Sequence, residues 1–247
     1  MGKKINPKIF RIRTIVEPAS KWFSNKKGFA AFLEQDQKIR KYLRVKYLNS
    51  GISKVEIKRS AGNIEIIIHT SKPGVIIGRG GAGVEEIKKI LKRKFFGSKK
   101  ISIVITIAEV NKPDLDAELL CQGMAVQLQK RMPFRRVLKR TIEQAKRAGA
   151  KGIKVIASGR LNGAEIARTE MLAEGKIPSH TLRANIDYSR MHVPTMFGTI
   201  GVKVYVYKGD VFEKESALKI ENRNKKNAKK DAARSVVKKI KKINEKE

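Results

Sequence analysis

Apolar and polar positions in the first half of the chain follow the periods of strands and helices. Residues 54–58 and 101–107 alternate with the two-residue period of half-buried strands, and the isoleucine-rich residues 64–69 form a further predicted strand. Residues 82–96 place their apolar side chains on one helical face, and a further helix is predicted over residues 29–49, before an Asn-Ser-Gly stop. With the short apolar run before the glycines, the predicted order is helix, strand, strand, short helix, glycine turn, helix, strand.

The second half of the chain mixes helix and strand again after a break at Pro113. We predict helices near residues 114–131, 134–148 and 163–173, and strands near residues 152–157, 182–190 and 199–207. Because helices and strands are mixed rather than regularly alternating, the sequence predicts an α+β fold with two domains.

Basic segments flank these two predicted domains. We predict a basic N-terminal arm over residues 1–28, a first domain over residues 29–110, a second α+β domain over residues 111–210 and a lysine-rich tail over residues 211–247. The tail has few large apolar side chains, so we expect it to be flexible until an anionic partner binds it.

The charge of the chain limits its partners. Lys and Arg total 56 against 23 Asp and Glu, a formal net charge of +33. A dense polyanion relieves the self-repulsion that such an excess creates. No apolar run reaches the roughly 18–20 residues of a membrane span, and no signal-peptide core follows Met1. We therefore expect a nucleic-acid partner in the cytoplasm and no membrane.

Cysteine and histidine usage gives no sign of a disulfide or a metal site. Cys121 is the one cysteine, and its apolar run LLCQGMAVQL is typical of a packed helix residue rather than a nucleophile. The three histidines are widely spaced and form no zinc pattern. The sequence predicts no metal, no cofactor and no catalytic residue.

The stretch VIIGRGGAGVEEIKK fits two overlapping glycine motifs. Gly78, Gly80 and Gly83 match the G-x-G-x-x-G of a dinucleotide pocket, whereas Gly78 and Gly81 match the G-x-x-G of an RNA-binding K-homology (KH) domain. In a dinucleotide fold a strand runs directly into the first glycine, but here a segment with a proline intervenes. The predicted element order fits a KH domain of the second topological type.

The KH interpretation gives the glycine turn a physical role. Glycine lacks a Cβ, so the backbone of the turn can approach a sugar-phosphate chain closely. The following helix directs amide N–H groups at phosphate, and Arg79 adds a charge-assisted contact. We predict that Gly78, Arg79, Gly80 and Gly81 bind RNA.

The helix after Pro133 carries the second candidate site. At the angular spacing of a helix, six basic side chains share one face, opposite an apolar face. We call them the basic ridge: Arg135, Arg136, Lys139, Arg140, Lys146 and Arg147. Solvated charged faces usually mix both signs, but here Glu143 is the one acid among six bases. The ridge therefore predicts an RNA contact.

Five sequence runs from the two domains occur together in one known family. They are VIIGRGGAGVEEIKK, QLQKRMPFRRVLKR, GAKGIKVIASGRLNGAEIARTE, IPSHTLRANIDYS and FGTIGVKVYVYKG. In these runs the chain, over roughly residues 1–210, resembles the family of bacterial small-subunit ribosomal protein number three.

The resemblance implies partners and roles for particular residues. Members of this family sit in the head of the small ribosomal subunit, bind its ribosomal RNA and neighbour small-subunit proteins ten and fourteen. With proteins four and five they line the channel through which messenger RNA enters. Positions that help to unwind the message match Arg135, Arg136 and Lys139, with Arg131 and Arg140 beside them. The segment NPKIFRIRT matches part of the family's opening, where Arg11 and Arg13 would contact ribosomal RNA.

We therefore expect a structural, RNA-binding constituent of the small ribosomal subunit that is not an enzyme. The ribosome would place it in the cytoplasm. Two other interpretations stay open from the residues alone: a KH-type regulator that binds messenger RNA outside ribosomes, and a dinucleotide-dependent oxidoreductase.

Overall fold

The computed structural model of the chain describes residues 4–60, 62–96 and 102–212. The larger compact unit ends at Gly209 and contains two four-stranded sheets. From residue 213 onward the predicted lysine-rich tail lies outside the described residues, as does Ile101 of the predicted third strand. No helix within the described ranges is long and apolar enough to cross a lipid bilayer.

The first sheet lies in the N-terminal half of the unit. Its elements in chain order are α1 (Pro7–Phe10), β1 (Ser20–Lys21), α2 (Lys26–Lys46), β2 (Ile52–Ser60), β3 (Asn63–Thr70), α3 (Pro73–Ile77), α4 (Ala82–Leu91) and β4 (Ser102–Glu109). The strand order is β1-β2-β3-β4, with an antiparallel β2–β3 hairpin and a β4 parallel to β3. From α2 onward this is the element order that the sequence predicted.

Apolar side chains from one face of this sheet pack against the three helices that follow β1. The fully buried members are Ile39, Leu43, Ile57, Ile66, Ile68, Ile76, Ile87 and Leu91. Burying one such side chain contributes about 1.5–3 kcal/mol. Because β3 buries every second residue from Ile64 to Thr70, and Val55 and Ile57 of β2 follow the same period, this period fixes which strand face meets the helices.

The second sheet and its two helices form the C-terminal half. The elements are α5 (Ala117–Gln129), α6 (Phe134–Arg147), β5 (Gly152–Gly159), β6 (Arg168–Gly175), β7 (Ala184–Thr195) and β8 (Gly198–Asp210). The strand order is β6-β5-β8-β7. Both helices contribute buried side chains to the core beneath this sheet, so the buried face of α6 is fixed by packing.

The predicted helix over residues 163–173 is wrong, because this segment forms strand β6. Its Ala, Glu, Met and Leu residues favour a helix locally. The edge of β5 needs a partner, however, and β6 pairs with it antiparallel, with Val155 opposite Leu172 and Ala157 opposite Glu170. Leu172 packs against the core. Tertiary pairing therefore overrides the helical propensity of the segment.

The predicted N-terminal arm carries two short elements, α1 and β1, and a buried arginine. Nη2 of Arg11 donates hydrogen bonds to the carbonyl oxygens of Pro178, Ser179 and Thr181 at 2.9–3.1 Å. The side chain of Arg11 is fully buried, whereas Arg13 is exposed. Arg11 thus ties α1 to the segment before β7, and its guanidinium is not placed to contact RNA.

Candidate nucleic-acid interface

The glycine-rich turn joins α3 to α4 through backbone conformations that favour glycine. The φ angles are +69° at Gly78, +58° at Gly80 and +83° at Gly81. All three lie in the left-handed region, where the missing Cβ removes a steric cost. A Cβ added at Gly80 or Gly81 would meet no atom within 4 Å. The turn therefore offers uncovered backbone to a ligand.

Gly83, in the first turn of α4, has a packing role instead. A Cβ there would lie 2.4 Å from the carbonyl oxygen of Ile76 and 2.9 Å from that of Ile77. Gly83 thus allows α4 to approach α3 closely. A dinucleotide pocket depends on a strand that runs directly into the glycine turn and a helix that follows it. Here the turn follows helix α3, so residues 73–91 lack that geometry.

The charges near the turn favour an anion. Arg79 is exposed, and no ion pair among the described residues includes it. Of the two acids in α4, Glu86 accepts a hydrogen bond from Nζ of Lys46 at 2.7 Å, which raises the pKa of Lys46. Glu86 is therefore partly neutralised, and Glu85 alone opposes the positive end of α4.

Apolar side chains beside the turn remain exposed. Val75 and Ile77 of α3 face solvent, whereas Ile76 between them is buried in the core. Exposed apolar atoms next to an uncovered backbone suit unstacked bases, whose flat faces avoid water. The turn thus combines surfaces for the backbone and for the bases of a single strand.

The basic ridge lies on the solvent side of α6. The opposite side buries Phe134, Val137, Leu138, Thr141, Ile142 and Ala145. All six ridge residues are exposed. A helix anchored along its whole buried face holds the ridge cations at fixed spacing, so less conformational entropy is lost when they bind a polyanion.

Half of the ridge residues have acidic partners. Arg135 lies 3.5 Å from Glu170 and Arg147 lies 3.7 Å from Glu143. Lys146 pairs with Glu174 of β6, a hydrogen bond that raises the pKa of the lysine.

Arg136, Lys139 and Arg140 take part in no ion pair among the described residues. The unpaired centre of the ridge is thus a concentrated positive charge that lacks an acidic partner in the described chain.

Arginines also cluster at the first turn of α6. The guanidinium carbons of Arg135 and Arg168 lie 5.8 and 5.6 Å from the ring centroid of Phe134, within the range of a cation–π contact. Arg131, in the α5–α6 connection, has φ +59° and donates a hydrogen bond to the sulfur of Met196. Strand β6 and the β7–β8 turn therefore place Arg168 and Met196 beside the start of the basic ridge.

The sequence did not single out Arg160, Arg168 and Phe197 as candidate binding residues. Their runs, SGRLNG, ARTE and FGTIG, contributed only to the family resemblance. They lie more than 20 residues after Phe134 along the chain, and sheet pairing brings them to the first turn of α6. No local pattern predicts that proximity.

Cys121 lies in the core beneath the second sheet. Burial raises the pKa of its thiol to about 12, while a hydrogen bond with Ser189 acts in the opposite direction. The thiol therefore stays protonated at neutral pH and is not a nucleophile.

The glycine turn and the basic ridge are carried by helices that pack against different sheets, and they form two separate candidate surfaces. Nε2 of Gln122 in α5 donates a hydrogen bond to the carbonyl oxygen of Ile52 in β2 at 2.8 Å. The hydroxyl of Ser53 donates a hydrogen bond to Asp116, which also caps α5. Contacts between β2 and α5 thus connect the halves that carry the two surfaces.

Two known families match the chain. The family described as "Ribosomal protein S3, C-terminal domain" matches residues 124–206, which include all of α6 and most of the second sheet. The family described as "KH domain" matches residues 38–115, which include the glycine turn.

Relatives named "Small ribosomal subunit protein uS3" match nearly the whole chain. The relative from Caldicellulosiruptor saccharolyticus is 49% identical over 217 residues, covering 88% of this chain and 96% of the relative. The relative from Desulforamulus reducens is 48% identical over 211 residues, covering 85% and 94%. The relative from Clostridium acetobutylicum is 46% identical over 224 residues, covering 91% and 100%.

Proposed function

Since this chain belongs to the uS3 family of small-subunit ribosomal proteins, we propose that it binds ribosomal RNA in the head of the small subunit and lines the channel through which messenger RNA enters. It is an RNA-binding structural constituent of that subunit and catalyses no reaction. The observation that carries the messenger role is the centre of the basic ridge. There Arg136, Lys139 and Arg140 are exposed on a rigidly packed helix and form no ion pair with any acid in the part of the chain that the structure describes.

The ridge would act by competing for the phosphates of the message. A strand whose phosphates follow the ridge releases condensed counterions, and a duplex has to open before one strand can follow the helix alone. The energy for unwinding would come from movement of the message during translocation. The ridge would then hold the separated strand and prevent it from pairing again.

The glycine turn would bind ribosomal RNA through backbone N–H groups and Arg79. Gly78, Gly80 and Gly81 would admit the sugar-phosphate chain, while Val75 and Ile77 would contact bases. From the family resemblance we also propose proteins ten and fourteen as neighbours in the head, and proteins four and five across the channel. We retain the division into domains at residues 29–110 and 111–210 as part of this proposal.

We expect the ridge variant Arg135→Ala/Arg136→Ala/Lys139→Ala to slow translation through a stable message hairpin several-fold while leaving incorporation into small subunits intact. For the purified chain and single-stranded RNA, the affinity should depend less steeply on salt. The slope of log affinity against log salt is negative, and its magnitude should decrease by about 2–3, since each phosphate contact contributes about 0.7–0.9. Fluorescence anisotropy at increasing salt measures this slope, and single-turnover translation measures hairpin passage.

The control for the ridge removes equal charge elsewhere. Lys26, Lys27 and Lys41 of α2 are exposed, so their triple alanine variant lowers the net charge by the same three units. Normal hairpin passage by the ridge variant, or equal slowing by the α2 variant, would show that the ridge has no specific role with the message.

The glycine turn has its own test, Gly80→Asp/Gly81→Asp. A Cβ meets no atom at either position, so the strain comes only from the left-handed φ angles, at about 1–2 kcal/mol for each residue, and aspartate is among the residues that adopt them. The fold should therefore persist while two negative charges face the phosphates. Affinity for a ribosomal RNA fragment from the head should fall at least about tenfold. Gly62→Asp, at an open glycine with φ +79° in the β2–β3 turn, is the matched control. Unchanged affinity would leave the glycine turn with an architectural role only.

A further inference from the structure

A concave surface lies beside the first turn of α6, and the proposed function does not yet use it. It encloses a cavity of about 330 Å³. Its buried lining is apolar and includes Leu128, Phe134 and Ile200, whereas Arg160 and Phe197 line it as exposed side chains. We call this surface the arginine–phenylalanine cavity. An apolar interior with a few exposed polar groups is the usual composition of a binding site.

Phe197 is both exposed and fixed in place. It lies at the tip of the β7–β8 hairpin, where the Thr195 hydroxyl donates a hydrogen bond to the carbonyl oxygen of Gly198 at 2.6 Å. Its ring covers Gly163, where an added Cβ would lie 3.0 Å from the nearest ring carbon. Even so, 54% of Phe197 remains exposed. A rigid ring with this exposure loses little entropy when another flat group stacks on it.

Arg160 fixes the turn beneath this ring. Its Nε donates a hydrogen bond to the carbonyl oxygen of Ala164 at 2.9 Å, and its Nη1 donates one to that of Phe197 at 3.3 Å. The guanidinium carbon lies 5.9 Å from the Phe197 ring centroid. Arginine and aromatic ring are therefore presented together, as a planar cation beside a planar apolar face.

Two arginines, Arg131 and Arg160, line the cavity, and a third, Arg168, lies beside it. None of Arg131, Arg160 and Arg168 takes part in an ion pair among the described residues. Arg168 contacts the Phe134 ring that Arg135 of the basic ridge also contacts. The cavity is thus continuous with the ridge through the first turn of α6, and a ligand that spans both meets apolar, aromatic and cationic groups.

We propose that the arginine–phenylalanine cavity receives an unpaired base of the incoming message, stacked on Phe197, while the adjacent phosphates follow the basic ridge. This inference rests on the proposed function of the ridge. Exposed aromatic rings beside arginines bind single strands of any sequence, because every base has a flat face. A base stacked there is withdrawn from pairing, so the cavity keeps the strand open after the ridge has bound it.

The test uses the full chain and a single-stranded oligouridylate that contains bromouridine. Ultraviolet light should cross-link the oligonucleotide to the peptide that contains Phe197. Phe197→Leu keeps apolar bulk but removes the stacking face, so it should abolish this cross-link and weaken single-strand binding about tenfold. Phe197→Trp should preserve the affinity. The salt slope should be the same in all three chains, because no charge changes.

Phe23→Leu is the matched control, since Phe23 is another exposed phenylalanine, far from the cavity along the chain. It should bind as the unmodified chain does. A bromouridine message bound to small subunits should give the same cross-link at Phe197, which locates the site on the message path.

The outcomes separate this inference from the function on which it depends. If the ridge variant lowers the salt slope but Phe197→Leu binds normally, stacking is refuted and the ridge role stands. If neither variant changes single-strand binding, both are refuted. Equal weakening of single-strand and duplex binding by Phe197→Leu, or absence of the cross-link in small subunits, would also overturn stacking of message bases.

Discussion

Replacing Asp36 with alanine is expected to lower the free energy of unfolding of the first domain by about 3–5 kcal/mol. The side chain of Asp36, in α2, is fully buried and accepts four hydrogen bonds from three residues, two in or next to β1 and one on β2. Donors to its Oδ2 are Nε1 of Trp22 at 2.7 Å and the Ser20 hydroxyl at 2.9 Å. Both nitrogens of one edge of the Arg59 guanidinium donate to its Oδ1.

The size of this effect follows from what the substitution leaves behind. Arg59 is itself 9% exposed and stacks on Phe32, with 4.9 Å between the guanidinium carbon and the ring centroid. Without Asp36 its charge stays buried without a counterion, and the indole N–H of Trp22 loses its acceptor. The same loss removes the hydrogen bond between the Ser20 hydroxyl and α2, so the pairing of β1 with the edge of β2 loses part of its support.

Urea denaturation of the full chain measures the Asp36 prediction. Trp22 is the one tryptophan of the chain, so its fluorescence reports on this cluster, and circular dichroism checks the helices independently. Glu34→Ala is the control, because Glu34 lies on the same helix but forms an exposed ion pair with Lys38. It should change stability by less than about 1 kcal/mol. Equal effects of the two variants would refute a structural role for the buried carboxylate.

The periodic patterns in the sequence predicted most of the fold, because each pattern depends only on which side of a single helix or strand faces the core. The alternation of β2 and β3 and the apolar face of α4 are local properties of their own segments. They do not depend on which strand lies next to which. The glycine turn was readable for the same reason, since left-handed backbone at consecutive positions selects glycine wherever it occurs.

Predictions failed where a residue's environment depends on distant parts of the chain. Strand β6 has helical composition, and only the unpaired edge of β5 makes it a strand. Arg11 resembles any other basic residue in an arm, yet carbonyl groups about 170 positions away along the chain bury it. Phe197 lies beside the first turn of α6 only because the β7–β8 hairpin brings it there. The six residues of the basic ridge could be predicted to share one face because a single helix carries them all.

A second large effect is expected at Asp187, where alanine should lower the free energy of unfolding by about 2–4 kcal/mol at neutral pH. Asp187 lies on β7 and pairs with Lys8 of α1 at 2.7 Å and Lys208 of β8 at 3.3 Å. It also accepts a hydrogen bond from the backbone N–H of Ala117, at the start of α5, at 3.1 Å. Its loss leaves that N–H buried without an acceptor and removes the ion pair between Lys8 of α1 and β7, while the hydrogen bonds of Arg11 still hold α1.

The effect of Asp187→Ala should depend on pH in a defined direction. Burial alone would raise the pKa of Asp187, but Lys8, Lys208 and the N–H of Ala117 outweigh it and lower the pKa below its ordinary value. A carboxyl group with a depressed folded-state pKa stabilises fully above its unfolded pKa of about 3.9 and loses that contribution as pH falls through the folded value. The stability difference between the unmodified chain and the variant should therefore be largest at neutral pH and shrink below about pH 4.

Urea denaturation of both chains at several pH values, followed by circular dichroism, measures this difference. Glu165→Ala is the control, since Glu165 is exposed and takes part in no ion pair among the described residues. It should differ little from the unmodified chain at any pH. A difference for Asp187→Ala that stays constant down to low pH would mean that the lost hydrogen bonds and packing, not the charge of Asp187, hold α1 and α5 against β7.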